Sequence, residues 1–379
     1  MDITIGNRIR PRGCVVLPPS KSEAIRAALL LGICGEDPCR AVEGFEPPYC
    51  RDIESALLAA GDLRSADAGE SAALLRFLIP IQAALFGRVS VRAGARLLSR
   101  GLYEAEECLG ASLAPLPGAG LIETELTLSA ERFDLDCSRS SQFLSGLLMA
   151  LPLTDHDCEI IIKRGLVSRP YVEMTLDFIR LFGGKIDGTA RGFITHPSDY
   201  RVPERIPVTG DRSYAAVFDA MNALCGDIML LGADDRTRQP DKDFYMMSAF
   251  EDCDMTDHPD LLPLLAAKAC GKAGDTVIRG TARLRTKESD REAGIVELIR
   301  SLGGSAEVGP DCVIVHGSGA LRGGICGANG DHRMAFAAAV ASLVCSEPVT
   351  VTGAECVSKS APGFWRDLEA IGIPCREAE

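Results

Sequence analysis

The chain has 379 residues, 46% of them hydrophobic, which is enough for a large core and predicts two domains. It carries 40 basic and 53 acidic residues, and the formal net charge of −13 argues against general binding to nucleic acid or to an anionic membrane. An anionic ligand would therefore need positive charge that is concentrated in one place.

The cysteine pattern and the apolar runs bear on location. There are 15 cysteines without a Cys-x-x-Cys pair, which indicates free thiols in a reducing compartment rather than a disulfide framework. The first residues lack the basic-then-apolar pattern of a signal peptide, and no uninterrupted apolar run approaches the roughly 18 residues of a membrane span. The sequence therefore predicts a cytoplasmic protein that does not insert into membranes.

Helical stretches alternate with short strand-like runs, which predicts an α/β protein. Several predicted helices end at a glycine and lead directly into a strand; they cover 53–60, 103–109, 175–182, 295–302 and 368–371. Copies along the whole chain favour a repeated supersecondary unit, although helix–glycine–strand is also common in ordinary α/β proteins. Crossings between the two domains are predicted near Pro18-Pro19 and near Gly210-Asp211.

Two distant stretches place cations at predicted helix starts. Ser20 is the predicted cap of a helix whose first turns contain Lys21, Ser22 and Arg26, and the stretch 285–291 repeats this Lys and Arg pattern. Cations at a helix N-terminus oppose the helix dipole, so they do not stabilise the helix. They do suit a bound phosphate or carboxylate. The alternative interpretation is that these are ordinary solvated charges.

Four further helix starts are polar. They are Ser140-Ser141-Gln142, Ser168-Arg169-Pro170 with Pro170 as first helical residue, Asp257-His258-Pro259-Asp260 with Asp260 in the first turn, and Asp331-His332-Arg333. The sequence has no P-loop, no dinucleotide fingerprint and no zinc-type spacing of its five histidines. It therefore predicts neither a metal nor a redox cofactor.

Taken together, these motifs resemble the 5-enolpyruvylshikimate-3-phosphate synthase family, the enolpyruvyl transferases of the shikimate pathway. The match is ordered and covers nearly the whole chain. The matching segments are 19–22 with Arg26, 75–80, 140–144, 166–171, 210–211, 257–260, 285–291, 331–335 and Lys359.

The resemblance implies an α/β fold of two similar domains, each made of three βαβαββ units in an inside-out α/β barrel, with the active site in the cleft between them. Residues 1–17 and 212–379 would form a domain that binds mainly phosphoenolpyruvate, and 18–211 a domain that binds mainly shikimate 3-phosphate. It also implies a monomer that uses no metal or cofactor, in the biosynthesis of aromatic amino acids.

The resemblance further implies roles for individual residues. Asp260 would accept the proton of the attacking hydroxyl, and Lys21, Glu288 or both would handle the proton at the enolpyruvyl carbon. The residues assigned to shikimate 3-phosphate are Lys21, Ser22, Arg26 (near the shikimate ring), Ser140, Ser141, Gln142, Ser168, Tyr171, Asp260 and Lys287. Those assigned to phosphoenolpyruvate are Lys21, Ala72, Arg100, Gln142, Arg291, Arg333 and Lys359.

The chain departs from the family pattern at 70–73. Glu70-Ser71-Ala72-Ala73 stands where the family has Asn-Ala-Gly-Thr, and Ala72 replaces a glycine that lies against phosphoenolpyruvate. The added methyl predicts reduced sensitivity to glyphosate. Two alternatives stay open: a UDP-N-acetylglucosamine enolpyruvyl transferase, which normally has a cysteine in the loop matching 96–101, and a silent relative that binds both ligands without turnover.

Overall fold

The structure, a computed structural model, describes residues 1–378. Its contacts separate two compact units. Unit 1 comprises Met1–Pro18, Glu46–Cys50 and the chain from Thr209 onward; unit 2 comprises Pro19–Phe45 and Arg51–Val208. The short segment Glu46–Cys50 was not expected in unit 1. Because of it the chain passes between the units four times, where the resemblance implied two crossings.

Both units combine strands and helices. The strands are β1 (Asp2–Ile5), β2 (Arg12–Val16), β3 (Ala66–Asp67), β4 (Arg88–Arg92), β5 (Leu121–Glu125), β6 (Arg132–Asp136), β7 (Cys158–Arg164), β8 (Lys185–Thr189), β9 (Gly192–His196), β10 (Asp227–Leu231), β11 (Asp252–Asp254), β12 (Ala273–Arg279), β13 (Ser305–Val308), β14 (Cys312–Ser318), β15 (Gly324–Gly327), β16 (Val349–Thr352) and β17 (Cys375–Glu377).

The α-helices are α1 (Lys21–Ile33), α2 (Arg51–Gly61), α3 (Ala72–Phe86), α4 (Ala95–Leu98), α5 (Tyr103–Leu109), α6 (Gln142–Ala150), α7 (Arg169–Leu181), α8 (Arg212–Leu224), α9 (Phe244–Ser248), α10 (Leu262–Ala269), α11 (Arg291–Ser301), α12 (His332–Ser342) and α13 (Phe364–Ala370). Short 3-10 helices cover Pro38–Val42, Leu151–Leu153, Pro240–Asp243, Ala282–Thr286 and Ala354–Lys359. None of the helices within residues 1–378 is long and apolar enough to cross a bilayer.

One sheet topology occurs three times in full. The strand orders are β6-β7-β9-β8, β11-β12-β14-β13 and β15-β16-β1-β17. In each sheet the first two strands are parallel and are joined by a helix, and the remaining pairs are antiparallel. A parallel pair needs such a helical crossover. In the third copy β1 completes a sheet whose other strands lie near the C-terminus, which explains why the first residues belong to unit 1.

Shorter versions complete the two units. Unit 1 also contains the parallel pair β2 and β10 beside α8, and unit 2 contains the three-stranded sheet β3-β4-β5 and the helical pair α1 and α2. The predicted α/β fold with repeated βαβαββ units is therefore confirmed. One helix lies wholly inside unit 1: all eleven residues of α12 are buried. A Cβ on Gly146 of α6 would lie 2.4 Å from the Arg76 carbonyl oxygen of α3, so only glycine permits this approach.

Some of the polar helix starts are real caps, whereas Ser141 and Ser168 make no capping bond with their side chains. Ser20 accepts a hydrogen bond from the Glu23 amide at 3.4 Å, and Asp331 accepts one from the Arg333 amide at 3.0 Å. Three expectations were wrong in detail. Asp290 caps α11, so Lys287 lies in the loop before the helix rather than in its first turn. Asp260 precedes α10, and Pro170 is the second residue of α7.

Candidate active site

The first candidate cluster lies in unit 1 and is centred on Arg291, the first residue of α11. Its side chain is only 2% exposed. Nε lies 2.9 Å from Asp331 Oδ2, Nη1 lies 2.7 Å from Asp260 Oδ1, and Nη2 lies 3.0 Å from Glu288 Oε2. One planar guanidinium therefore organises three carboxylates that are up to 71 residues apart in the chain, which is the fork geometry that arginine offers.

Two further cations share the same carboxylates. Arg333, in the first turn of α12, donates from Nη2 to Asp260 Oδ2 at 2.7 Å. Lys359 donates from Nζ to Glu288 Oε1 at 3.2 Å. Asp260 and Glu288 are thus each held by two cations. We refer to Asp260, Glu288, Arg291, Asp331, Arg333 and Lys359 as the unit 1 charge cluster.

The cluster shifts the protonation of its members. Burial of Asp260 raises the pKa of its carboxyl, but Arg333 and Arg291 outweigh this effect, and the pKa is held well below its usual range. Burial likewise raises the pKa of Asp331, and Arg291 reverses the shift. Lys287 faces Asp260 and Arg291, and burial lowers the pKa of its ammonium group to about 8. Both aspartates are therefore fully ionised at neutral pH.

Asp331 is the fully buried carboxylate of the cluster and holds both of its arginines in place. Its Oδ2 accepts from Arg291 and from Ser289 Oγ at 3.1 Å, and its Oδ1 caps α12 at the Arg333 amide. One carboxylate thus positions both arginines, one through its side chain and the other through its backbone. In the sequence Asp331 is recognisable only as part of a helix start, and its second role depends on the contact with Arg291, which sequence spacing does not reveal.

Asp241 was missed as well. It lies in the 3-10 helix Pro240–Asp243, it is 1% exposed, and its Oδ2 accepts from Ser213 Oγ. Burial, together with the charge of Asp260, raises the pKa of the Asp241 carboxyl to about 6, against the opposing effect of Arg333. No sequence signal marked this residue, because an aspartate in the first turn of a short helix is an ordinary feature.

In unit 2 the predicted ligand residues gather around Arg26. Its guanidinium is buried and donates to Thr175 Oγ1 at 2.8 Å, to the Ser22 carbonyl at 2.7 Å and to the Tyr171 carbonyl at 3.0 Å. It also lies 5.1 Å from the centre of the Phe77 ring. Burial lowers the pKa of Arg26 to about 10. Arg26 therefore ties the start of α1 to the start of α7.

Hydroxyl groups lie at the neighbouring helix starts. Ser141 Oγ donates to the Ser168 carbonyl at 3.5 Å, and Ser140 Oγ accepts from the Gln142 amide at 3.3 Å. Ser168 has φ of 55°, a left-handed conformation that turns the chain into α7. Thr175 Oγ1 donates a hydrogen bond to Ser145 Oγ at 3.0 Å and so links α7 to α6. The starts of α1, α6 and α7 are thereby connected by side chains.

Lys21, the first residue of α1, forms an ion pair with Asp52 of α2 at 3.1 Å. Ala72 begins α3, and its carbonyl accepts from Arg76 Nη1 at 3.4 Å, while Arg76 also pairs with Glu104 at 2.8 Å. Arg100 lies two residues after α4, where its amide bonds the Leu97 carbonyl. The structure thus places these predicted phosphoenolpyruvate residues at separate positions in unit 2: Lys21 and Ala72 begin two different helices, and Arg100 follows a third.

The chemistry of the unit 1 charge cluster is that of an anion site that also carries bases. Guanidinium and ammonium groups bind phosphate and carboxylate, and carboxylates accept protons. Within residues 1–378 no group of three or more histidine, cysteine, aspartate or glutamate side chains is arranged to hold a metal ion.

Comparisons with known proteins give the family. The family model for EPSP synthase (3-phosphoshikimate 1-carboxyvinyltransferase) matches residues 60–249 and 245–368. A 3-phosphoshikimate 1-carboxyvinyltransferase of Clostridium kluyveri is 34% identical over 80% of this chain and 77% of its own length. One of Methanocorpusculum labreanum is 30% identical over 98% of this chain and 99% of its own length.

A solved structure agrees at the level of the fold. EPSP synthase from Acinetobacter baumannii superposes with a TM-score of 0.77 over 99% of this chain and 100% of its own, at 19% sequence identity. The ordered motifs, the repeated sheet topology and the extent of these matches lead to one conclusion. The chain belongs to the EPSP synthase family.

Proposed function

We propose that this protein is a 3-phosphoshikimate 1-carboxyvinyltransferase, which transfers the enolpyruvyl group of phosphoenolpyruvate to the 5-hydroxyl of shikimate 3-phosphate. The hydroxyl oxygen bonds to the central carbon of the enolpyruvyl group while the methylene carbon takes up a proton. The resulting tetrahedral intermediate then loses inorganic phosphate, and the methyl group loses a proton to restore the double bond. The atoms balance without an oxidant, a reductant or a metal.

The observation that carries the proposal is the unit 1 charge cluster. Its six residues come from four chain segments, and the fold joins them through five ion pairs of 2.7–3.2 Å. We assign Arg291, Arg333 and Lys359 to phosphoenolpyruvate, Asp260 to the hydroxyl proton, and Glu288 to the proton at the methylene carbon. Lys287, whose pKa burial lowers to about 8, is assigned to the acceptor.

Unit 2 supplies the remaining contacts in this proposal. Ser22, Ser140, Ser141, Gln142, Ser168 and Tyr171 would hold shikimate 3-phosphate through hydroxyl, amide and backbone donors at the starts of α1, α6 and α7. Each of the three guanidinium nitrogens of Arg26 donates to a protein oxygen, so its proposed part is to fix these helix starts beneath the ring. Lys21, with Ala72, Gln142 and Arg100, would reach phosphoenolpyruvate.

Phosphate release tests the proposal. Purified protein is mixed with shikimate 3-phosphate and phosphoenolpyruvate without added metal, beside Asp260→Ala and the control Asp252→Asn, an exposed aspartate paired with Arg279. We expect release that needs both substrates, persists in the control and collapses in Asp260→Ala. Release with UDP-N-acetylglucosamine in place of shikimate 3-phosphate, or binding of both ligands without release, would refute the assignment.

The setting of the enzyme is also a proposal. All 15 cysteines are free thiols in the structure, which supports a reducing, cytoplasmic location. We propose a monomer that acts on its two small substrates without nucleic acid or membrane as partners. Gel filtration with light scattering at micromolar concentration tests the oligomeric state, and a dimer would refute it.

A further inference from the structure

In unit 1 the proposed bases form ion pairs with the proposed anion-binding cations. Both oxygens of Asp260 accept short bonds, from Arg291 at 2.7 Å and from Arg333 at 2.7 Å. Glu288 is divided in the same way between Arg291 and Lys359. The three cations proposed to bind phosphoenolpyruvate are therefore already paired with the two carboxylates proposed to move protons. A carboxylate that is paired with two cations in this way is a poor proton acceptor.

A charge count disfavours this arrangement when the substrate binds. The unit 1 charge cluster contains three cations and three carboxylates, so its formal charge is zero. Phosphoenolpyruvate brings a carboxylate and a phosphate that carries about −1.5 to −2 at neutral pH. The neighbouring Lys287 adds one positive charge, which does not balance this anion, so binding is favoured when one of the cluster's own carboxylates gives up its place or its charge.

Burial indicates which carboxylates yield. The Asp331 side chain is 0% exposed and caps α12, so it is fixed in place. The side chains of Asp260 and Glu288 are 23% and 18% exposed. Both carboxylates therefore have room to rotate away from the arginines without a movement of the main chain. The structure thus divides the carboxylates into one permanent counter-ion and two exchangeable ones.

We infer that phosphoenolpyruvate itself releases the catalytic base: its anionic groups displace Asp260 from Arg291 and Arg333, and the freed carboxylate then faces the acceptor hydroxyl. This inference rests on the proposed function. Before the substrate arrives the two arginines act as positioning residues that keep Asp260 paired and non-basic. The displaced carboxylate receives the hydroxyl proton as the oxygen attacks, so proton transfer depends on occupancy of the anion site.

Several groups surround Asp260 and would respond. They are Arg333 of α12, Arg291 of α11, Lys287 of the loop before α11 and Asp241 of the 3-10 helix Pro240–Asp243, which in turn faces His258. When the arginines turn to the ligand, Asp241 and burial both favour the protonated form of Asp260. Binding should therefore be accompanied by uptake of protons that a variant without this carboxylate cannot take up.

The test is the affinity for phosphoenolpyruvate alone, measured by titration calorimetry without an acceptor, so that no turnover occurs. Asp260→Asn removes the internal competitor. We expect it to bind phosphoenolpyruvate at least about tenfold more tightly than the wild-type protein, since tenfold corresponds to 1.4 kcal/mol, within the range of close charge pairs. Glu288→Gln should also bind more tightly, and Asp252→Asn should match the wild type. Equal or weaker binding by Asp260→Asn and Glu288→Gln would overturn the inference.

A second measurement counts protons instead of comparing affinities. Repeating the wild-type titration near pH 6 in buffers of different ionisation enthalpy counts the protons taken up. The phosphate of the ligand also titrates near pH 6, so the uptake is compared between the two proteins: wild type should take up at least about 0.3 proton more than Asp260→Asn. Equal uptake contradicts the inference. Phosphate release with both substrates is measured separately, so a wild-type enzyme that turns over but shows no excess uptake would refute the release of the base and leave the proposed function standing.

Discussion

Replacement of Asp331 separates its charge from its capping role. Asp331→Ala removes the cap of α12 and leaves the Nε of buried Arg291 without its partner 2.9 Å away. Loss of a cap costs about 1 kcal/mol, and breaking a buried ion pair costs about 3–5 kcal/mol, so we expect a loss of roughly 5 kcal/mol in the free energy of unfolding. Asp331→Asn keeps a capping oxygen, but its amide nitrogen replaces the oxygen that accepts from Arg291, so about 3 kcal/mol is expected from the broken ion pair alone.

The only tryptophan provides the assay. Trp365 lies in α13 of unit 1 and donates from Nε1 to the Ala354 carbonyl at 3.3 Å, so its fluorescence during urea unfolding reports on the unit that contains Asp331. Asp290→Ala is the matched control, because Asp290 caps α11 in the same way but is exposed. The control should lose about 1 kcal/mol. If Asp331→Ala costs no more than this control, the buried ion pair does not stabilise unit 1 and the reasoning is wrong.

Three further predictions address other positions. Ala72→Gly should lower the inhibition constant of glyphosate at least about tenfold, because it removes a crowding methyl group. Inhibition is measured by phosphate release, and the control Ala73→Gly in the same helical turn should leave it unchanged. Unchanged inhibition in Ala72→Gly would refute the steric argument. Arg26→Met should lower the free energy of unfolding of unit 2 by roughly 3 kcal/mol, because the Tyr171 and Ser22 carbonyls lose their donor. The loss should appear as faster hydrogen exchange across α7, with the exposed Arg180→Met as the control. Unchanged exchange would contradict this prediction. The pKa of Asp241, raised to about 6, means that the folded state binds more protons than the unfolded state between about pH 4 and 6, so this residue makes stability fall as pH rises through that window. Asp241→Asn should therefore gain stability relative to wild type as pH increases from 4 to 6 in the Trp365 assay, and a constant difference would show that Asp241 does not titrate there.

Helix starts and the repeated unit could be predicted from the sequence alone, because the signals for them are local. Ser20 and Asp331 cap helices through atoms two or three residues away, so their motifs predict the starts of α1 and α12 directly. The glycine that ends a helix before a strand recurs in each copy of the repeated unit, which revealed the repetition. Local signals failed where a neighbouring cap competed: Asp290 moved the start of α11 past Lys287.

Tertiary structure decided what the charges do. Nothing in the sequence shows that Asp260, 31 residues before Arg291 and 73 before Arg333, lies 2.7 Å from both, or that Glu288 is shared with Lys359. The sequence identified these residues as cations and carboxylates suited to an anionic substrate, and it identified Asp260 as a helix-start residue. Only the packing of α10, α11 and α12 paired the base with the groups expected to bind the substrate, because the strength of an ion pair depends on separation and burial, which sequence spacing does not encode.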